Sequence, residues 1–145
     1  MFPPRSGACA REIDGAHTEI LVTEYTDRVL VVATQIGKLG TIFHLTRNQS
    51  GEFATLDADA NDDLSRCATL IGRRDDEILH ACARAIGHGL FARGLERPVV
   101  CALGLRRECG TAAKRAVATT CVELASELLG LASGGSGYAD TADAA

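Results

Sequence analysis

The chain has no tryptophan, two tyrosines and four phenylalanines. Bases and sugars are usually gripped by aromatic faces, so this scarcity argues against a base-stacking or carbohydrate-binding surface. There is no surplus of positive charge either: 15 Lys and Arg stand against 19 Asp and Glu, a net charge of −4. A nucleic-acid partner is therefore not expected. The Arg73-Arg74 and Arg106-Arg107 pairs are read as solvated ends of elements. Lysine is nearly missing, since Lys38 and Lys114 are the only two and arginine supplies every other positive side chain. No window reaches the length of a transmembrane span. The opening MFPPRSGACAREID lacks both the apolar core of a secretory signal and the acid-free pattern of a transit peptide. A protein of the cytoplasm or nucleus, with no membrane partner, is expected.

Motifs of chemistry are equally sparse. Gly37-Lys38 has no glycine five residues before it and Leu39 rather than Ser or Thr after it, so it is no Walker phosphate loop. No G-x-G-x-x-G opens a helical segment. Six cysteines occur without any Cys-x-x-Cys, and His80 lies two residues from Cys82, which on a helix turns the two to different faces. Asp57, Asp59, Asn61 and Asp63 alternate as in a calcium loop, but the required glycine and the later bidentate Glu are missing. His44 and His80 have no nucleophile or carboxylate at a telling spacing. No catalytic residue, metal or cofactor is expected. A small cytosolic enzyme or ligand-binding module, with a site under the acidic loop described below, is the alternative reading.

What is present is an ordinary globular composition, 46% hydrophobic and 23% charged over 145 residues. That length makes one domain, able to bury roughly 70% of its unfolded surface without help from disulfides. Cys82, Cys101 and Cys121 fall inside apolar periodic segments and read as buried thiols acting as small hydrophobes.

The chain is organised around Arg28–Leu45, RVLVVATQIGKLGTIFHL. Val29–Thr34 is apolar at successive positions, which marks a strand covered on both faces. Two glycines follow within Ile36–Gly40, and Thr41–Leu45 is β-prone again, so the stretch predicts a hairpin with a longer loop. Before it, a short edge strand over Cys9–Ile13, the turn signal Asp14-Gly15 and a strand over Thr18–Tyr25 complete an antiparallel meander. After it, residues 48–63 form an acidic, aperiodic stretch read as a flexible loop. A strand over Leu64–Ile71 leads to a helix that starts at the acids Asp75–Glu77, carries the stripe Ile78, Cys82, Ile86 and Leu90, and stops at Gly94. Gly87 and Gly89 are expected to weaken it. Pro98 opens an apolar strand, Val99–Leu105, and Thr111 is placed to cap a second helix, striped by Val117, Cys121, Leu124 and Leu128 and ended by Gly130.

These elements give an α+β fold: a single antiparallel sheet of about six strands with two helices. The domain spans residues 8–130, with residues 1–7 and 131–145 as disordered tails. Two helices blanket only one face of such a sheet. The other face, whether that of Ile20 and Val22 or that of Leu21 and Thr23, needs another chain, so a sheet-to-sheet dimer is expected. At the tip of the predicted hairpin, Ile36 and Leu39 are apolar where turns are usually polar, and they flank the rare Lys38. Gln35, Ile36, Gly37, Lys38, Leu39 and Gly40 are thus the candidate partner-binding residues.

Thr34-Gln35-Ile36-Gly37-Lys38-Leu39-Gly40-Thr41 resembles the signature of the proteasome assembly chaperone 3 family, in which a strand ends in Thr-Gln, an aromatic or aliphatic residue, Gly-Lys, a hydrophobe and Gly-Thr. The strand over Thr18–Tyr25, the segment ending Leu70-Ile71-Gly72, the acidic helix start and Pro98–Leu105 follow in family order, so the resemblance covers roughly residues 8–130. It implies a small chaperone without catalysis or cofactor. It also implies pairing with a proteasome assembly chaperone 4-like protein or with itself, and ordering of alpha-type subunits into the 20S alpha ring. The acidic loop and the glycine-rich tail depart from the family pattern.

Overall fold

The computed structural model describes residues 4–47, 65–107 and 109–131. Its elements run β1 (Arg5–Ile13), β2 (Ala16–Glu24), β3 (Val29–Thr34), β4 (Thr41–Arg47), β5 (Ser65–Ile71), α1 (Glu77–Ala92), β6 (Val99–Gly104) and α2 (Thr111–Leu129). The fold is α+β, with one open six-stranded sheet and two helices, as the sequence predicts.

The order of strands across that sheet is β1-β2-β3-β6-β4-β5. It corrects the predicted hairpin: β3 and β4 do not pair, because β6 lies between them. The sheet is therefore mixed rather than wholly antiparallel. β3 and β6 run parallel, Val31 opposite Cys101, while all other pairs are antiparallel. These are the two strands whose sequences are apolar at successive positions, the pattern of strands buried on both faces. A parallel pair needs a long crossover, and β4, β5 and α1 together supply it.

The β1–β2 turn matches its signal. Asp14 (φ 53°) and Gly15 (φ 75°) both take the positive φ that a type I′ turn requires. β1 starts at Arg5, so residues 5–7, expected in the N-terminal tail, belong to an edge strand. At the other end Gly130 closes α2 at φ 67°, and Leu131 still donates its N–H to the Ser126 carbonyl at 3.0 Å and packs against the core. The acidic loop at 48–63 and the rest of the C-terminal tail lie outside the described residues.

Both helices pack on one face of the sheet, α1 over β4–β5–β6 and α2 over β1–β2–β3. The core between the layers is built from Ile20 and Val22, Val29, Val31 and Ala33, Phe43 and Leu45, and Val99, Cys101 and Leu103 on the strand side. Leu79, Ile86, Leu90, Phe91, Val117 and Cys121 face them from the helices. Asp76 caps α1 by accepting the Leu79 N–H at 3.0 Å. The buried face of α1 is set by Leu79, Ala83, Ile86, Leu90 and Phe91, whereas Ile78, expected to lead the stripe, is exposed. Successive i+4 positions rotate by about 40° around a helix of 3.6 residues per turn, which carries the first member off the buried face. α2 has Gly110 rather than Thr111 at its cap position, with no side chain filling the cap. Gly89 is not merely a weak point: a side chain there would meet Val122 Cγ2 at 2.8 Å, so the glycine lets the helices approach.

Candidate functional site

The connection from β3 to β4 must step over the end of β6, and its residues are chosen for that crossing. The Thr34 hydroxyl organises it, donating to the Lys38 carbonyl at 2.8 Å and accepting the N–H groups of Ile36 and Lys38 at 3.2 Å each. Gly40 has φ 69°, and a side chain on it would collide with the Leu103 carbonyl. A side chain on Gly104 would collide with the Lys38 carbonyl. The glycines therefore serve a bridge over a neighbouring strand. Thr41, buried at the start of β4, accepts the Arg73 N–H at 3.2 Å and ties the bridge to the loop before α1.

The structure divides the six candidate partner-binding residues. Ile36 and Leu39 are 47% and 53% exposed, with Gly37, Lys38 and Gly40 also exposed on the same connection. Gln35 is different. Its backbone N–H donates to Gly104 at 2.8 Å, its side-chain Nε2 donates to Thr18 Oγ1 at 3.1 Å, and its Oε1 accepts the Arg106 N–H at 3.0 Å. That amide locks β2, β3 and the loop after β6 together. Of the two lysines, only Lys38 reaches solvent. Lys114 is buried, with its ammonium donating to the Cys109 carbonyl at 2.7 Å.

A small cleft of about 80 Å³ lies beside Gln35, lined by Ile13, Asp14, Ala16, Arg106, Cys109 and Ala113. It is well below the few hundred cubic ångströms of an ordinary small-molecule site. Burial pushes the Cys109 thiol up, against the opposing pull of Lys114, so Cys109 is not held as a thiolate nucleophile. The alternative site under the acidic loop falls outside the described residues.

The second feature is the sheet face away from the helices, and sequence reasoning could not assign it without the topology. The Ile20–Val22 face is taken by the chain's own helices, and among the described residues no helix packs on the face of Leu21 and Thr23, where Leu21 is exposed and Thr23 is buried. Register aligns Ala8, Leu21, Val32, Ala102, Ile42 and Ile71 in one row across all six strands. A neighbouring row holds Thr23, Leu30, Val100, His44 and Ala68. The centre of this face is apolar through the insertion of β6 with Val100 and Ala102; Val32 and Ala102 are buried, and Leu30, Ile42 and Val100 are half-buried. Both β3 and β6 read as doubly covered strands, which was the available hint that they are neighbours.

Three comparisons bear on what such a chain is. The family model described as proteasome assembly chaperone 3 matches residues 31–123, from β3 into α2. A proteasome assembly chaperone 3 of Nematostella vectensis is 51% identical over 37 residues, a stretch that spans 26% of this chain and 27% of that relative. A chain from the crystal structure of a novel chaperone complex for yeast 20S proteasome assembly superposes with a TM-score of 0.59. That match is at 12% identity and covers 82% of this chain and 96% of the other, so the likeness is one of fold.

Proposed function

Because the chain belongs to the proteasome assembly chaperone 3 family, we propose that it is a non-enzymatic chaperone promoting assembly of the 20S proteasome alpha ring. In this reading it works as a sheet-to-sheet dimer, with a second copy or with a proteasome assembly chaperone 4-like protein, in the cytoplasm or nucleus. The observation that supports it is an apolar sheet face with no helix over it among the described residues: a row of Leu21, Val32, Ala102 and Ile42, in which Leu21 is exposed and Ile42 half-buried. An apolar sheet face of this kind marks an interaction surface. Sheets stacked face to face at about 10 Å are the usual way of doing so.

The bridge between β3 and β4 then has a separate task. It sits where strands end, so pairing through the sheet face leaves Ile36, Lys38 and Leu39 accessible to an alpha-type subunit. The apolar pair supplies buried area, and the lysine charge sets orientation. No bond is made or broken in this function, and no cofactor is called for.

The test is to mix the purified chain with individually expressed alpha-type subunits and follow co-elution. Stable complexes with at least one subunit are expected. A folded chain that captures none of them refutes the proposal. Lys38→Glu should stay within about 0.5 kcal/mol of the parent stability, as exposed substitutions usually do, yet lose capture. Undiminished capture would make the bridge a connection only.

A further inference from the structure

The described residues have seven large apolar side chains in the open, and five of them, Ile36, Leu39, Leu70, Ile71 and Ile78, belong to one end of the sheet. The register shows why they gather. Thr34 lies beside Gly104, Thr41 beside Leu103 and Ile42 beside Ile71, so the β3–β4 bridge, the end of β5 and the loop after β6 all meet there. α1 sets out from the same end just after Gly72. A bulge sharpens the effect. Phe43 pairs with Thr69 and Ile42 with Ile71, which leaves Leu70 as an extra residue. An extra residue re-aims its neighbours, and here two consecutive apolar side chains are presented at once, Leu70 at 51% and Ile71 at 64% exposure.

Charge at this end runs against the chain as a whole. By sequence, the connections 13–16, 35–40, 72–76 and 105–110 hold five cations, Lys38, Arg73, Arg74, Arg106 and Arg107, against four acids, Asp14, Asp75, Asp76 and Glu108, although the whole chain carries −4. Asp75 is taken by Arg73 at 3.3 Å, and Asp76 is taken by the α1 cap. Among the described residues no carboxylate pairs with Lys38, Arg74 or Arg107. Arg74 reaches only the Thr69 carbonyl, at 3.2 Å.

We infer that this end of the sheet is a docking surface for a partner segment that alternates carboxylates with apolar side chains. The apolar positions fall in two groups, Ile36 with Leu39 and Leu70 with Ile71. Thr41, buried between the bridge and the end of β5, holds the two together, close enough that a side chain on Gly72 would touch it. An occupant that fits must offer apolar groups to both and negative charge to Lys38 and Arg74. The surface reaches beyond the β3–β4 bridge, to residues that nothing in the bridge motif requires. It deepens the proposed role by giving the client's chemistry, and it rests on that role only for the client's identity.

The test uses the full chain, isotope-labelled, with a short peptide alternating Glu and Leu and a control peptide alternating Lys and Leu. The acidic peptide should shift the backbone amides of Leu39, Leu70 and Arg74, and its affinity should fall as salt rises from tens to hundreds of millimolar. Arg74→Glu and Leu70→Ser should each weaken it about tenfold, roughly 1.4 kcal/mol, with an unchanged Tm. Leu39→Ser, on a separate element, should do the same and guards against a fold defect in either variant. Equal binding of the basic peptide, no binding of either, or shifts confined to Leu30, Val32 and Val100 would overturn the inference. The assay contains no proteasome subunit. Its failure would leave the proposed function standing, and a failed capture of alpha-type subunits would leave this result standing.

Discussion

Gly104 of β6 lies so close under Lys38 that a methyl group on the glycine would sit on the lysine's carbonyl oxygen. A few residues on, Gly40 makes the reciprocal approach to the carbonyl of Leu103. The bridge from β3 to β4 is therefore clamped to the strand it crosses, and its outward side chains are held on a stiff support.

Gly40→Ala should destabilise the chain on two grounds. Its φ of 69° costs a side-chain-bearing residue about 1–2 kcal/mol, and the Leu103 carbonyl adds a steric clash. A loss of about 2 kcal/mol or more in unfolding free energy, read as a lower urea midpoint, is expected. Gly37→Ala, at φ 70° with open space around it, should show the backbone cost without the clash.

Leu30→Glu places a carboxylate near the middle of the open sheet face, where Leu30 is half-buried between Thr23 and Val100. Light scattering should report a dimer for the parent chain at tens of micromolar (or a complex with its chaperone partner) and a monomer for the variant. A monomeric parent that forms no complex with a related chaperone would remove the reason for the open face.

Glu24 is held between two guanidinium groups, Arg97 at 2.8 Å and Arg5 at 2.6 Å, which join β1, β2 and the segment before β6. The hydrogen bond from Arg97 is the largest influence holding its carboxyl below the ordinary value of 4.5, with Arg5 adding to it and burial opposing. A carboxylate whose folded pKa is depressed contributes its stability above the unfolded pKa and loses it as pH falls through the folded one. Parent stability should thus drop more steeply than that of Glu24→Gln below about pH 4.5. The difference near neutral pH should be about 1 kcal/mol or less, because Arg5 stays largely in water.

The cysteines should divide by burial when an alkylating reagent is added to the native chain. Burial pushes the Cys82 thiol up to about 12 and raises Cys101 and Cys121 strongly as well, so these three should react only on unfolding. Cys9, Cys67 and Cys109, which are partly exposed, should react first. Cys101→Ser should cost roughly 1–3 kcal/mol by leaving a hydroxyl poorly paired in the core. Loss of client capture at unchanged stability would point to thiol chemistry instead.

Much of this molecule is written locally. Asp14-Gly15 specifies its own turn, because only certain residues accept positive φ there. Asp76 and Gly130 mark helix ends through hydrogen bonds that span a few residues. The alternation of Ile20 and Val22 with Leu21 and Thr23 sorts the two faces of β2. The bridge residues Ile36, Lys38 and Leu39 were legible as an unusual turn, since apolar side chains flank a rare lysine. The place of β6 was not legible. Val29–Thr34 and Val99–Gly104 both announce burial on two faces, but periodicity says how a strand is covered and not which strand lies beside it. A neighbour far along the chain is chosen by the packing of the whole, and here α1 carries the chain back so that β6 can enter between β3 and β4. Only that insertion turned Gly37 and Gly40 from hairpin residues into a bridge and drew Gln35 inward, because the partners Leu103, Gly104 and Arg106 all come from β6 and the loop after it.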